Sequence, residues 1–197
     1  MKRILDIVLT LLAAPIWLPL MALAAAAVAA SMGRPVLFSQ ERAGRGGRVF
    51  RLAKLRTMSD GDAPDAERIT RLGRFLRATS LDELPQLFHV LSGKMSLVGP
   101  RPLPARYLPR YSAEQARRHE VRPGLTGWAQ VNGRNAISWE EKFKLDVWYV
   151  DHRSLALDFK ILLLTAVKVF RREGVNSSAT ETMGEFAPTH GSMRGIE

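Results

Sequence analysis

The chain has 197 residues, room for one domain with an appendage, and carries a formal charge of +10 with no cysteine. The missing thiols exclude disulfides, thiolate nucleophiles and cysteine metal sites. So basic a chain meets an anionic partner: nucleic acid, an acidic membrane surface or a phosphorylated substrate.

The N-terminus is apolar, and from Ile7 to Ala30 no residue is charged. About 20 apolar residues cross a bilayer core, and a signal-peptide core is shorter, roughly 7–15 residues. Pro15 and Pro19 lie inside the segment, where each removes a helical hydrogen bond and bends the axis. Cations flank both ends, Lys2 and Arg3 before it and Arg34, Arg42, Arg45, Arg48 and Arg51 after it. If both flanks stay inside, the segment is a re-entrant hairpin; if the second cluster alone decides, it is a single span. The residues leave both readings open. Asp6, near the entry, is expected at the membrane interface.

From Pro35 to Met58, short apolar runs on either side of Gly44-Arg45-Gly46-Gly47 predict a β-hairpin. Lys54 and Arg56 alternate along its second strand and so share a face, fit either to clamp a phosphate or to be solvated. Residues 59–67 are a polar loop. A basic amphipathic helix follows from near Ala66 to Arg77, with Ile69, Leu72, Phe75 and Leu76 on its apolar side. It suits an anionic membrane surface or a core with a wet basic face.

Ser80-Leu81-Asp82-Glu83-Leu84-Pro85-Gln86-Leu87 places two adjacent carboxylates at a helix start. Ser80 as N-cap with Glu83 three residues on makes a capping box; Asp82 as N-cap puts Pro85 in the first turn. Both registers set Asp82 at the positive end of a helix running through Leu91, a place that also attracts phosphate. His89 on this helix reads as a packing residue. The proline-rich loop from Ser96 to Pro104 holds Arg101 in a fixed direction, for bidentate phosphate binding or a structural salt bridge.

A polar helix is predicted from Tyr107 to Glu120. The glycine-dense stretch from Val121 to Arg134 interleaves Trp128, Gln130 and Asn132 with Arg122 and Arg134. Such a set can stack on a base and bind phosphates, or form a tight turn around a buried tryptophan. Ser138 and Glu141 form a capping box for a helix through Val150, with Asp146 and Asp151 facing solvent. A last apolar helix from about Leu155 to Arg172 suits the core or the bilayer interface, and past Gly174 the tail is loosely ordered.

No His/Cys ligand cluster and no spaced Ser–His pattern is present, so triad hydrolysis has no support. Paired carboxylates, Mg2+ and arginines are the parts of phosphoryl-transfer sites. An aspartate can also attack phosphorus directly. These residues resemble the small monotopic phosphoglycosyl transferases, or bacterial sugar transferases, from Lys2 to about Phe186. The anchors are Lys54-Leu55-Arg56-Thr57-Met58, Arg77 to Leu87, Leu97 to Leu103 and Arg122 to Arg134.

The resemblance implies a helix-rich α+β fold: a re-entrant membrane helix over residues 1–32, a cytosolic catalytic domain over 33–186 with interfacial amphipathic helices and a short β-hairpin, and a flexible tail over 187–197. It implies an enzyme on the cytosolic face of the bacterial inner membrane, both termini cytosolic, moving a sugar 1-phosphate from a UDP-sugar to polyprenyl (undecaprenyl) phosphate and releasing UMP. Asp82 matches the nucleophile and Glu83 its partner, with Mg2+ held by Asp82 and Glu83. Lys54, Arg56, Arg77 and Arg101 match the cations around the phosphates; Arg122 and Arg134 match the nucleotide segment. Ala14-Pro15 stands where Ser-Pro is common, and Leu55 where Phe is common. Arg134 to Trp139, Arg172-Glu173-Gly174 and Thr182-Met183 look most like the branch using UDP-di-N-acetylbacillosamine or related acetamido sugars. The rival readings are direct transfer with Asp82 as base, and a membrane-anchored basic module that binds anionic lipid or nucleic acid without catalysis; no known nucleic-acid motif supports the last of these.

Overall fold

A computed structural model describes residues 1–133, 137–171 and 185–187. The apolar N-terminal stretch forms two helices, α1 (Lys2–Leu12) and α2 (Ala14–Met32), broken at Ala13. Pro15 falls in the first turn of α2, where a missing N–H leaves no bond unmade, so the proline starts the second helix. Pro19 lies within α2 without ending it. The Trp17 indole reaches back across the break to the Thr10 carbonyl at 3.0 Å. Among the described residues, α2 is the one helix long and apolar enough to cross a membrane, with 19 residues and a mean hydropathy of 1.8.

Helix α1 is fastened to the rest of the chain by polar contacts. The Lys2 ammonium lies 2.6 Å from Asp158, and the Arg3 guanidinium donates to the carbonyls of Val90 and Leu91. Asp6 is 4% exposed and accepts from the Ser96 hydroxyl at 2.9 Å and the Leu97 amide at 3.1 Å. At the expected entry of the segment Asp6 is thus buried within the chain, where two fixed donors make its burial affordable.

Strands β1 (Leu37–Ala43) and β2 (Val49–Leu55) form the predicted hairpin, in antiparallel register from Leu37↔Leu55 to Ala43↔Val49. The predicted helix from Ala66 to Arg77 is divided into α3 (Asp65–Arg68) and α4 (Arg71–Ala78). Ile69 leaves the helix to bridge Met58. Thr70 then caps α4, its hydroxyl accepting from the Gly73 amide at 2.9 Å. A Cβ on Gly73 would lie 1.9 Å from the Thr57 carbonyl oxygen, so glycine is what lets α4 press against the end of the hairpin.

Helix α5 (Gln86–Leu91) leads to β3 (Ser96–Val98), which pairs in parallel with β4 (Gly124–Thr126). The two strands close tightly behind the Arg101 loop; a Cβ on Gly124 would meet the Gly99 nitrogen at 2.1 Å. Between them the predicted helix from Tyr107 to Glu120 is broken into a 3-10 turn (Ala105–Arg110), α6 (Ala113–Ala116) and a second 3-10 turn (Arg117–Glu120). Pro109 has no N–H to continue a ladder, and Ser112 restarts the helix with a capping box to Gln115. Helices α7 (Trp128–Asn132), α8 (Trp139–His152) and α9 (Leu155–Arg171) follow, α8 opened by the expected Ser138–Glu141 box.

Three contacts position the functional region. Ala24 and Val28 of α2 pack with Leu55, Leu76 and Leu81, tying the apolar helix to the hairpin and to the carboxylate turn. Burial of a side chain such as Val28, Leu55 or Leu76 is worth roughly 1.5–3 kcal/mol. Val98, Val131, Tyr149 and Ile161 join β3 to the three C-terminal helices. Phe186, 2% exposed, packs with Leu103, Tyr107 and Phe143, so the tail is fastened at that residue, against the expectation of a loose segment. Helix α9 buries Ile161 and leaves Phe159, Leu163 and Val167 exposed on an apolar face.

Candidate active site

The carboxylate turn is neither of the predicted helix starts. Ser80 adopts φ 56°, a left-handed conformation rare outside glycine, and its side chain makes no capping bond. Leu81–Glu83 forms a 3-10 turn, and α5 begins only after Pro85. The two acids thus lie ahead of α5 and not at its cap, and they turn toward cations from elsewhere in the chain. Leu81 anchors the turn beneath α2.

Glu83 is held from two sides. The Lys54 ammonium sits 2.6 Å from Glu83 Oε1, and the Arg101 guanidinium reaches the same oxygen at 2.6 Å and Oε2 at 3.5 Å. Burial alone would push the Glu83 carboxyl up, but Arg101 and Lys54 outweigh it and hold the group well below the usual carboxylate range. Asp82, 6% exposed, has a weaker contact, Lys54 at 3.7 Å from Oδ2. Burial raises its pKa, with Lys54 pulling down and the neighbouring Glu83 charge pushing up. Two adjacent acids are thereby driven apart in affinity for protons.

Arg77 ends α4 with its Nε donating to the Thr57 hydroxyl at 3.0 Å, and its charge helps to lower the Asp82 carboxyl. Lys54, Arg77, Asp82, Glu83 and Arg101 are thus brought together. Arg56, predicted to share a face with Lys54, is placed elsewhere: its guanidinium is 3.0 Å from the Gly33 carbonyl, also meets the Met32 carbonyl, and pairs with Asp60 at 3.3 Å. It closes the C-terminus of α2, where free carbonyls attract a cation. Arg122 donates to the Gly93 carbonyl at 2.9 Å. Arg134 lies outside the described residues, as do residues 172–174 and 182–183. Trp128 stacks on Trp148 with ring centres 5.0 Å apart, so the indole read as a base platform faces another side chain. His89 packs, as expected: its Nε2 accepts from the Ala53 amide at 3.2 Å and its ring meets Phe50 edge-on.

Sequence reasoning missed several neighbours. Asp146, expected in solvent, is 1% exposed and bound by Arg118 at 2.7 Å. Arg42 donates to the Pro102 carbonyl at 3.2 Å, and its pKa falls to about 10 through burial and the nearby Arg101. Lys142, four residues before Asp146 on α8, is lowered to about 8, first by burial and then by Arg101. An i, i+4 Lys–Asp pair within an apolar helix face was the available signal.

For a metal, the described residues hold no group of three or more His, Cys, Asp or Glu side chains. Asp82 and Glu83 are the carboxylates gathered in this turn, and Glu83 is already engaged by Lys54 and Arg101. Asp82 retains the less compensated charge. One or two carboxylates suit Mg2+ that completes its shell with water and substrate phosphates.

Relatives share this sequence over most of its length. The chain is 56% identical over 167 residues to an uncharacterized sugar transferase, EpsL, of Bacillus subtilis, covering 82% of this chain and 83% of that protein. It is 44% identical over 180 residues to the UDP-glucose:undecaprenyl-phosphate glucose-1-phosphate transferase of Caulobacter vibrioides, covering 83% of this chain and 67% of that one. An Aeromonas hydrophila protein named UDP-N-acetylgalactosamine-undecaprenyl-phosphate N-acetylgalactosaminephosphotransferase is 39% identical over 178 residues, spanning 83% of this chain and 42% of the relative. The bacterial sugar transferase family model matches residues 1–172, which includes the broken N-terminal helix and every described member of the carboxylate site. With the carboxylate turn, its cations and this match together, the chain belongs to the bacterial sugar transferase family.

Proposed function

We propose that the chain transfers a sugar 1-phosphate from a UDP-sugar to undecaprenyl phosphate, with Asp82 as nucleophile. The observation that carries this is the division of labour in one turn: Glu83 is neutralised by Lys54 and Arg101, while Asp82 keeps a charge that Lys54 meets only at 3.7 Å. Both donor and acceptor appear in the names of the Caulobacter and Aeromonas relatives. The latter supports an acetamido sugar, of which di-N-acetylbacillosamine is one.

In the first step an Asp82 oxygen attacks the sugar-bearing phosphorus, the P–O bond to UMP breaks, and UMP leaves as an anion. A phosphate oxygen of the lipid then attacks the same phosphorus, the Asp82–phosphorus bond breaks, and the carboxylate is restored. Neither step consumes a proton. Arg77, Lys54 and Arg101 supply positive charge where it accumulates. Mg2+ held by Asp82 and Glu83 would neutralise the diphosphate and favour departure of UMP.

The placement of α1 and α2 supports a re-entrant arrangement. Lys2, Arg3 and Asp6 at one end, and Met32 and Gly33 at the other, are all bound by the same domain. A straight span would separate those ends by a bilayer. We infer that the break at Ala13 to Pro15 is the tip inside the membrane, that the exposed face of α9 lies in the interface, and that the domain is cytosolic.

Asp82 as a base for direct transfer is favoured by one observation, its raised pKa. Incubation with donor and no acceptor separates the two. A phosphosugar on Asp82 with one equivalent of UMP supports the covalent route; no adduct in an enzyme that turns over rejects it. Mg2+-dependent UMP release from a panel of UDP-sugars, lost in Asp82→Asn, tests the activity itself. Folded protein that releases no UMP with any donor would favour a binding module.

A further inference from the structure

The mechanism uses the Arg101 side chain and leaves unexplained a buried ion pair behind its backbone. Arg118 and Asp146 have side chains 1% and 2% exposed. Arg118 Nε lies 3.1 Å and Nη2 2.7 Å from Asp146 Oδ2. The same Nη2 donates to the Arg101 carbonyl at 2.8 Å. Nη1 faces the Tyr111 hydroxyl at 3.4 Å, and the guanidinium lies over the rings of Tyr111 and Phe143. Every side of the group is occupied.

Such a pair is costly to bury and gives little net stability by itself. Its geometry has a specific product, however. The loop from Gly99 to Pro104 is held at successive carbonyls: Arg101 by Arg118, Pro102 by Arg42 at 3.2 Å, and Leu103 by the Ala43 amide at 3.0 Å. Pro100, Pro102 and Pro104 have no amide of their own to anchor the loop. Donors from outside must therefore fix it. Arg101 is the residue whose side chain then meets Glu83 at 2.6 Å.

We propose that Arg118, oriented by Asp146, is a positioning residue that sets the direction in which the loop presents the Arg101 guanidinium to Glu83 and to the substrate phosphates. This rests on the transferase reading for its effect on rate, but not for the geometry. A planar fork is required, because one guanidinium serves the carboxylate and the carbonyl together; lysine in its place keeps the charge and loses the fork.

The test is a double-mutant cycle in the full-length membrane protein with an amide-exchange readout. Arg118→Lys is expected to lower kcat/KM by about 10²-fold, the scale of a misplaced catalytic group. In an Arg101→Ala background the same change is expected to cost less than about 2-fold, because nothing remains to be positioned. Amide exchange at Gly99, Arg101 and Leu103, the loop residues that carry an amide, should quicken about tenfold in Arg118→Lys while α2 is unchanged. Multiplying losses in the cycle, or unchanged exchange in the loop, overturn the proposal. If the wild type transfers no sugar, the transferase reading fails by itself and loop exchange still decides. If Arg118→Lys does not fold, Asp146→Asn, which removes the charge that orients Arg118, is held to the same outcomes.

Discussion

Among the described residues, the buried carboxylate Asp146 and the carboxylate pair Asp82–Glu83 both meet arginine, and they are finished differently. Around Asp146 the pair is closed, with both side chains nearly sealed and each nitrogen of the Arg118 guanidinium facing a partner. Around Asp82 and Glu83 the cations are shared unequally, and Arg101 keeps a side chain 38% exposed. A closed pair fixes structure; an open one, with charge left over on a reachable face, is fit to meet a substrate.

The sharpest way to break the comparison is to neutralise one acid in each set. Asp82→Asn is expected to abolish UMP release, by more than about 10³-fold, as loss of a nucleophile does. The unfolding midpoint should hold or rise, since a poorly compensated buried charge is removed. Asp146→Ala should do the reverse first, costing about 3–5 kcal/mol of stability by stranding Arg118, measurable by thermal or denaturant unfolding. Equal stability losses in the two variants would erase the distinction.

Glu83→Gln sits between them. Removing the charge that Lys54 and Arg101 share should lower kcat/KM by about 10–10²-fold in a steady-state assay. Stability should fall modestly and only at neutral pH. The Glu83 carboxyl is held below its unfolded value, so its contribution is present above pH ~4.3 and lost as acid protonates it.

A pH–rate profile resolves the two neighbours. Asp82 is raised, so the ionised fraction needed for attack falls off at a higher pH than the ordinary aspartate value of about 3.9. The acid limb of kcat/KM in the free enzyme should lie above that value, and an acid limb at or below it would contradict the split.

The smallest effect falls on His119, lowered to about 4 first by burial and then by Arg118. The unfolded chain binds a proton at pH ~6.5 and the folded chain only near 4, so stability is full above that window and lost as pH falls through it. His119→Gln should flatten this part of the stability curve.

Much of the fold was legible because its signals are local. The hairpin, the Ser138–Glu141 cap and the break near Pro15 depend on residues within a turn of one another, and each is present. The break stands with alanine at position 14. Where patterns misled, a distant partner had decided the matter. Arg56 shares a strand face with Lys54 in sequence, yet the strand ends at Leu55 and Arg56 turns to the end of α2. Asp146 reads as a solvent acid until Arg118 is brought beneath it.

By itself the sequence determined the kinds of groups at hand: a basic chain, an apolar segment interrupted by proline, and an Asp-Glu pair followed by a proline. Only the tertiary structure decided which acid is neutralised. Lys54 and Arg101 are separated from Glu83 by 29 and 18 positions along the chain, and charges act through distance in space. No local pattern could say that they converge on Glu83 and leave Asp82 the less compensated acid.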